Sequence, residues 1–363
     1  MSRTYLFLGM GLIGGSIAKS LRKLEPDATI LAYTRHRERL EKAVKDGVLN
    51  RVSETLTADV PASDIIFLCA PTGTNLSNLK IIAPLVHEKA LITDVGSVKH
   101  DIQKAADFLG ISRQFLGGHP MTGKETTGYE SADEQILENA YYILTPSTQT
   151  RSGDLAFMID LVKGVKSIPL IIDPMYHDYA AAAISHLPHL IAASLVDLVR
   201  THDNEEQFMK TIAAGGFKDI TRIASSDPDM WANICKSNRE NIRLLLDQYI
   251  DCLQEISGYL DTENYEKIRE LFAVDGAYRN GINNRRGSLP GEYRLFVDIP
   301  DKTGAIAGIA TLLAGHSINI KNIGITHNRE LSEGALVIVF YDEASKEAAI
   351  PVIRSAGYPV ILL

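Results

Sequence analysis

Gly9-Met10-Gly11-Leu12-Ile13-Gly14-Gly15-Ser16 is the stretch that decides the fold. It follows an apolar run at 4–8 that reads as a short buried strand, and it opens a helical pattern reaching about Leu24. Gly-x-Gly-x-x-Gly at a strand-to-helix junction is the fingerprint of a dinucleotide-binding turn. Gly9 allows the tight turn, Gly11 lets the backbone approach a pyrophosphate, and Gly14 permits close helix–sheet packing. The helix N-terminus, at Leu12 and Ile13, adds amide donors and the positive end of the helix dipole. Alone, such a triplet also occurs as a purely structural turn. Its place after a strand and before a helix favours the cofactor.

Outward from this turn, strands are expected at 28–34, 64–70, 91–95, 141–144 and 169–172, with a helix at 36–45 and helical segments between most of the others. Alternating strands and helices predict a mostly parallel, doubly wound α/β sheet of the Rossmann type over 1–172. From Asp173-Pro174 to about Asn280 the periodicity is helical throughout, with Asp173 placed to cap a helix that starts at Pro174. An all-helical domain is expected at 173–286, packing as a bundle and pairing two copies. A turn-rich basic linker over 280–291 precedes a third pattern: strand, helix, two strands, helix, strand. That predicts a ferredoxin-like βαββαβ unit over 287–363.

The fingerprint expects an acidic residue about 20 positions on, at the end of the second strand, to hold the ribose hydroxyls. Thr34 stands there instead, followed by Arg35. Thr34 can bond a ribose hydroxyl. Arg35 can stack on adenine or meet a 2′-phosphate, or, with Arg37, simply begin a solvated helix. NAD and NADP are both physically allowed. Ala70 and Pro71, closing the strand at 64–70, complete the expected cofactor lining.

Three segments carry the chemistry. Asp94-Val95-Gly96-Ser97-Val98-Lys99 lies at a strand's carboxyl end, the edge where open α/β sheets bind ligands. Ser97 there can bond a substrate, a cofactor or a catalytic histidine, or cap the next helix. Gly117-Gly118-His119-Pro120-Met121-Thr122-Gly123-Lys124-Glu125 reads as a polar, glycine-rich loop after a strand. Oxidising an alcohol needs a base for the hydroxyl proton, and His119 titrates in the useful range. Further on, His186 and His189 share a helix face, for substrate or nicotinamide contact or as interhelical packing. Lys218 and Arg222, at i and i+4, suit a carboxylate. Trp231 walls a pocket or fills the core. No metal site is expected, since no further ligands accompany the histidines.

Composition narrows the class. A formal net charge of −8 argues against a nucleic-acid partner. Cys69, Cys235 and Cys252 are too few and too scattered for a disulfide framework, which fits a reducing compartment. The N-terminal apolar run is too short for a signal peptide, and no uninterrupted apolar stretch approaches the ~18 residues of a membrane span. A cytoplasmic protein without a membrane partner is expected.

The segments Gly-x-Gly-Leu-Ile-Gly-Gly-Ser, Asp-Val-Gly-Ser-Val-Lys, Gly-His-Pro-Met-x-Gly-x-Glu, His-Leu-Pro-His and Phe-Lys-Asp-x-Thr-Arg-Ile-Ala, in this order, resemble the prephenate dehydrogenases over essentially 4–286. The C-terminal unit, with Ile299-Pro300-Asp301-Lys302-Thr303-Gly304 and Ser317-Ile318-Asn319-Ile320, resembles an ACT domain, a fusion found among Bacillus-type enzymes. The resemblance implies NAD-dependent oxidative decarboxylation of prephenate to 4-hydroxyphenylpyruvate. His119 would be the base, with Ser97 orienting it. Arg222 would hold a substrate carboxylate, and His186, His189, Glu125, Asp219 and Trp231 would line the pocket. It also implies a homodimer and feedback inhibition by L-tyrosine, held by backbone amides near Asn319 and Ile320 and by Asp301, with Gly304 and Ile318 in the same loops. Arogenate as substrate, a β-hydroxyacid reductase, and a non-catalytic nucleotide and amino-acid sensor are the competing readings.

Overall fold

The computed structural model describes residues 2–34, 36–124, 126–282, 293–300, 302–326 and 335–361. The chain divides into two compact units, Met1–Arg286 and Gly287–Leu363. Arg35, Glu125 and Asp301 lie outside the described residues.

In the first unit, strands β1 (Thr4–Leu8), β2 (Thr29–Tyr33), β3 (Arg51–Val52), β4 (Ile65–Leu68), β5 (Leu91–Asp94), β6 (Phe115–Pro120), β7 (Tyr141–Thr145) and β8 (Ile168–Ile171) form one sheet in the order β3-β2-β1-β4-β5-β6-β7-β8. All neighbours run parallel except β6 and β7. Helices α1 (Leu12–Leu24), α2 (Glu41–Lys45), α3 (Leu56–Asp59), α4 (Thr72–Ile82), α5 (His100–Phe108) and α6 (Ser152–Gly164) connect the strands. Successive strand residues feed opposite faces. Tyr5, Phe7, Ile65 and Phe67 pack with Ile17 and Leu21 of α1 and Met158 of α6. Leu6, Leu8, Ile66 and Leu68 pack with Leu79 of α4 and Ile102 of α5. Helices on both faces explain why the central strands are apolar without alternation.

Two expectations need correction. His119 lies on strand β6, not in a loop after a strand. The glycines that look like loop punctuation are demanded by close neighbours. A Cβ on Gly118 would stand 2.7 Å from the Asp94 carbonyl oxygen, so only glycine lets β6 lie this close to β5. Secondly, one helical run does have the length and apolarity of a membrane span: Pro174–His202, 29 residues. The search for an uninterrupted apolar stretch missed it because His177, Asp178, His186 and His189 interrupt the run. All four are hydrogen-bonded within the unit.

That run comprises α7 (Pro174–Ala181), a π-helical turn (Ala182–His186) and α8 (Leu187–His202). Asp173 caps it, accepting from the amides of Met175 and Tyr176. Pro188 cannot donate to the preceding turn, and the wide turn immediately before it absorbs the mismatch. Helices α9 (Phe208–Ile212), α10 (Gly215–Thr221), α11 (Pro228–Ser237), α12 (Arg239–Asp261) and α13 (Tyr265–Gly281) follow, with no strand among the described residues of 174–281. This helical region carries exposed Ile184, Leu198, Ile212, Leu253 and Phe272.

The second unit runs β9 (Tyr293–Asp298), α14 (Ala305–Gly315), β10 (Ile320–Thr326), β11 (Ala335–Phe340), α15 (Glu343–Ser355) and β12 (Val360–Ile361). Its antiparallel sheet has the order β10-β11-β9-β12 and its own core, including Leu295, Val297, Ile309, Leu336 and Ile353.

Candidate active site

The sheet reverses its winding between β1 and β4, and ligands of open α/β sheets bind in the crevice at such a point. Gly9 leaves β1 at φ +87°, and a Cβ on it would stand 3.0 Å from the Ala70 amide nitrogen that follows β4. A Cβ on Gly14 would strike Cys69 at 2.9 Å, while Gly11 faces open space. The first bond of α1 runs from the Gly15 amide to the Gly11 carbonyl, and no side chain caps the helix. The amides of Leu12, Ile13 and Gly14 are therefore left for an anion. This cradle fits a pyrophosphate-bridged dinucleotide. Thr34 stands half-buried past β2, its hydroxyl accepting weakly from the His36 amide at 3.4 Å.

Farther along the same edge, Asp94 ends β5. Its carboxylate accepts from the amides of Gly96 (2.9 Å) and Gly118 (3.2 Å) and pairs with the fully buried Lys99 ammonium. Lys99 also donates to the Gly118 carbonyl at 2.7 Å, tying the Asp94–Lys99 loop to the strand that carries His119. Ser97 lies half-buried in that loop. The nitrogen Nδ1 of His119 bonds His177 Nε2 at 2.8 Å, and no described hydrogen bond joins the ring to Ser97. Burial, helped by His177, Lys99 and His186, holds His119 well below the usual imidazole range. This direction favours the uncharged ring.

His186 is buried and Nδ1 accepts from the Asn238 amide at 3.0 Å. Its Nε2, the donor in that tautomer, has no partner. Burial pushes it down to about 4. His189 donates from Nδ1 to the Ser185 carbonyl at 2.8 Å and stacks on Trp231 with ring centroids 3.8 Å apart. The indole Nε1 of Trp231 is likewise buried and unpartnered. Burial lowers the His189 imidazole, and the Arg222 cation lowers it further. The structure thus gathers His186, His189 and Trp231, with Arg222 near His189 and His186 near His119. Lys218 and Asp219 sit exposed on α10, and no described hydrogen bond or ion pair joins them to these histidines. Sequence reading gave no role to His177, Asp178 or Asn238, although an adjacent His-Asp pair inside an otherwise apolar helix is a signal of its own.

Two family models match in tandem: the prephenate dehydrogenase nucleotide-binding domain over residues 17–168 and the prephenate dehydrogenase dimerization domain over 173–274. The prephenate dehydrogenase of Bacillus subtilis is 37% identical over 352 residues, 96% of this chain and 95% of that protein. The chain belongs to the prephenate dehydrogenase family. The Lactococcus lactis prephenate dehydrogenase is 35% identical over 97% of both chains. Among solved structures, the A. aeolicus prephenate dehydrogenase in complex with hydroxyphenyl propionate and NAD+ superposes with a TM-score of 0.73. That chain is 30% identical, and the match covers 78% of this chain and 99% of that one. Membership makes this chain an NAD-dependent oxidoreductase.

Proposed function

We propose that this enzyme oxidises and decarboxylates prephenate to 4-hydroxyphenylpyruvate, with His119 as the base. The observation that carries the proposal is a histidine held through Nδ1 by His177 on the carboxyl edge of the sheet that also bears the dinucleotide cradle. Gly9, Gly11, Leu12, Ile13 and Gly14 would hold the pyrophosphate, Thr34 and Arg35 the adenosine end, and Ala70 and Pro71 the nicotinamide side. Bound there, NAD supplies a two-electron acceptor. His119 takes the ring hydroxyl proton as that carbon gives up hydride. The bond to the ring carboxylate then breaks, its electrons restore aromaticity, and the proton can return from His119 to the phenolate oxygen. Alignment is the protein's main contribution. Ser97 lies beside this edge to orient substrate.

Two unpartnered donors, His186 Nε2–H and Trp231 Nε1–H, suit the oxygens of a dianionic substrate, with Arg222 as the cation. Glu125, Asp219 and Lys218 would border that pocket. The exposed apolar side chains of the helical region suit pairing of two copies, in keeping with the dimerization-domain match. The C-terminal unit reads as an ACT domain that binds L-tyrosine through Asp301, Gly304, Ile318, Asn319 and Ile320. Its βαββαβ order supports this, as does the match of the Bacillus and Lactococcus enzymes along nearly the whole chain. The boundaries proposed are 1–172, 173–286 and 287–363, and the cytoplasm is the proposed location.

The test is the absorbance of reduced nicotinamide with prephenate or arogenate, NAD or NADP, with and without L-tyrosine. Turnover of prephenate with NAD, suppressed by tyrosine, is expected. Turnover of arogenate alone would overturn the substrate, and indifference to tyrosine would overturn the regulatory reading.

A further inference from the structure

We propose that His177 and Asp178 are positioning residues that fix the tautomer of His119, so that its Nε2 faces the substrate as a bare acceptor. The inference rests on His119 being the base. It follows from a line of hydrogen bonds whose polarity is set at one end. The Asp178 carboxylate accepts from the backbone amides of Lys99 (2.7 Å) and His100 (2.8 Å) at the start of α5. Amides only donate, and a carboxylate so held is an acceptor. Oδ1 of Asp178 also lies 2.8 Å from His177 Nδ1, which must therefore carry a hydrogen. In neutral His177 this leaves Nε2 as an acceptor, and it lies 2.8 Å from His119 Nδ1. That nitrogen must then donate, and the lone pair of neutral His119 is confined to Nε2.

The line is shielded. His177 is 1% exposed and Asp178 2%. The Asp178 carbonyl accepts from Asn238 at 2.7 Å, which holds the backbone of the pair, and the two imidazole planes stand 72° apart. Two neighbouring residues at the start of a long apolar helix thus reach a strand 58 positions earlier in the chain. The arrangement does for His119 what a buried carboxylate does for the histidine of a hydrolase triad: it selects one tautomer and holds the ring. Here a second imidazole stands between carboxylate and base.

The experiment compares wild type with His177→Phe, His177→Gln and His119→Asn, measuring kcat, KM for prephenate, NAD binding by fluorescence quenching, and thermal unfolding. Phenylalanine keeps a ring but removes the acceptor. Glutamine can place its carbonyl oxygen where Nε2 was. The expected result is a roughly hundredfold fall in kcat for His177→Phe, the scale of general-base catalysis. KM and NAD binding should stay within threefold, and His177→Gln should recover at least tenfold of the loss. A folded His177→Phe with kcat within threefold of wild type would overturn the proposal. So would equal losses in the Phe and Gln variants, which would mark a packing role. Wild-type turnover in His119→Asn would instead overturn the base assignment, whatever His177 does. If His177→Phe does not fold, imidazole 15N shifts of the wild-type enzyme decide. A bare Nε2 and protonated Nδ1 on His119 are expected, and the opposite tautomer sinks the idea.

Discussion

The ammonium of Lys99 lies fully buried against the carboxylate of Asp94 and donates to the carbonyl of Gly118, the residue before His119. This pair joins two adjacent strand ends, so its loss touches both stability and the site. Lys99→Met would leave the Asp94 charge buried and unpaired, a change that costs about 3–5 kcal/mol. Urea unfolding should show a loss of that size, with activity falling alongside. The exposed pair Arg243–Asp247 on α12 is the control, and Arg243→Ala should cost less than about 1 kcal/mol. Equal, small losses in both variants would mean that the buried pair holds nothing.

Gly118 tests the same junction by crowding. An added methyl would stand 2.7 Å from a backbone oxygen and 3.0 Å from the Tyr142 ring, so β6 must move away from β5. Gly118→Ala should cost about 1–3 kcal/mol, the usual range for overpacking. It should also lower kcat more than stability alone explains, because His119 is carried on the displaced strand. Gly123→Ala, where a Cβ meets nothing within 4 Å, should be close to neutral.

These two glycines show where sequence reading stops. The cofactor turn was legible because its requirements are local: strand, Gly9, helix start. The cap at Asp173-Pro174 was legible for the same reason, and Asp173 accepts amide hydrogens as a capping residue does. Strand β6 was not. The need for Gly118 comes from Asp94 and Tyr142, distant in sequence and adjacent only once the sheet has formed. The site divides likewise. His119 stood out by its neighbours in the chain, whereas its partner His177 is identified only when α7 packs over α5. Lys218, paired with Arg222 by helical spacing, sits on α10, whereas α10 ends at Thr221 and Arg222 begins the 3-10 turn that follows, so the two do not share one continuous α-helix face.

These histidines set a pH dependence of known sign. His119 is held well below 6.5, so the base stays unprotonated at neutrality. The kcat/KM for prephenate should be flat from pH 8 to 6.5 and fall only in more acid solution. A half-maximal point near 7 would contradict this. His186 affects stability. Unfolded, it takes a proton near 6.5, and folded, only near about 4. Between those values the unfolded chain binds the extra proton, so its contribution is full above 6.5 and is lost as the pH falls. The slope is at most about 1.4 kcal/mol per pH unit. Between pH 7.5 and 5.0, wild type should lose roughly 2 kcal/mol more than His186→Asn in urea unfolding. Parallel losses would refute it.

Substrate recognition offers the last test. Arg222 is exposed, yet its charge is felt by His189, which stacks on Trp231. A guanidinium there can meet a carboxylate through two parallel bonds, and one charged hydrogen-bonding group contributes about 1.5–3 kcal/mol. Arg222→Ala should therefore raise KM for prephenate by roughly 10- to 100-fold. Arg222→Lys should recover only part of this, since an ammonium keeps the charge and loses the fork. Lys218→Ala, one turn earlier and at the pocket's border, should raise KM by clearly less than Arg222→Ala does. Steady-state kinetics at saturating NAD separate these outcomes. A large effect at Lys218 with none at Arg222 would move the anion site off the His189–Trp231 stack and onto the outer face of α10.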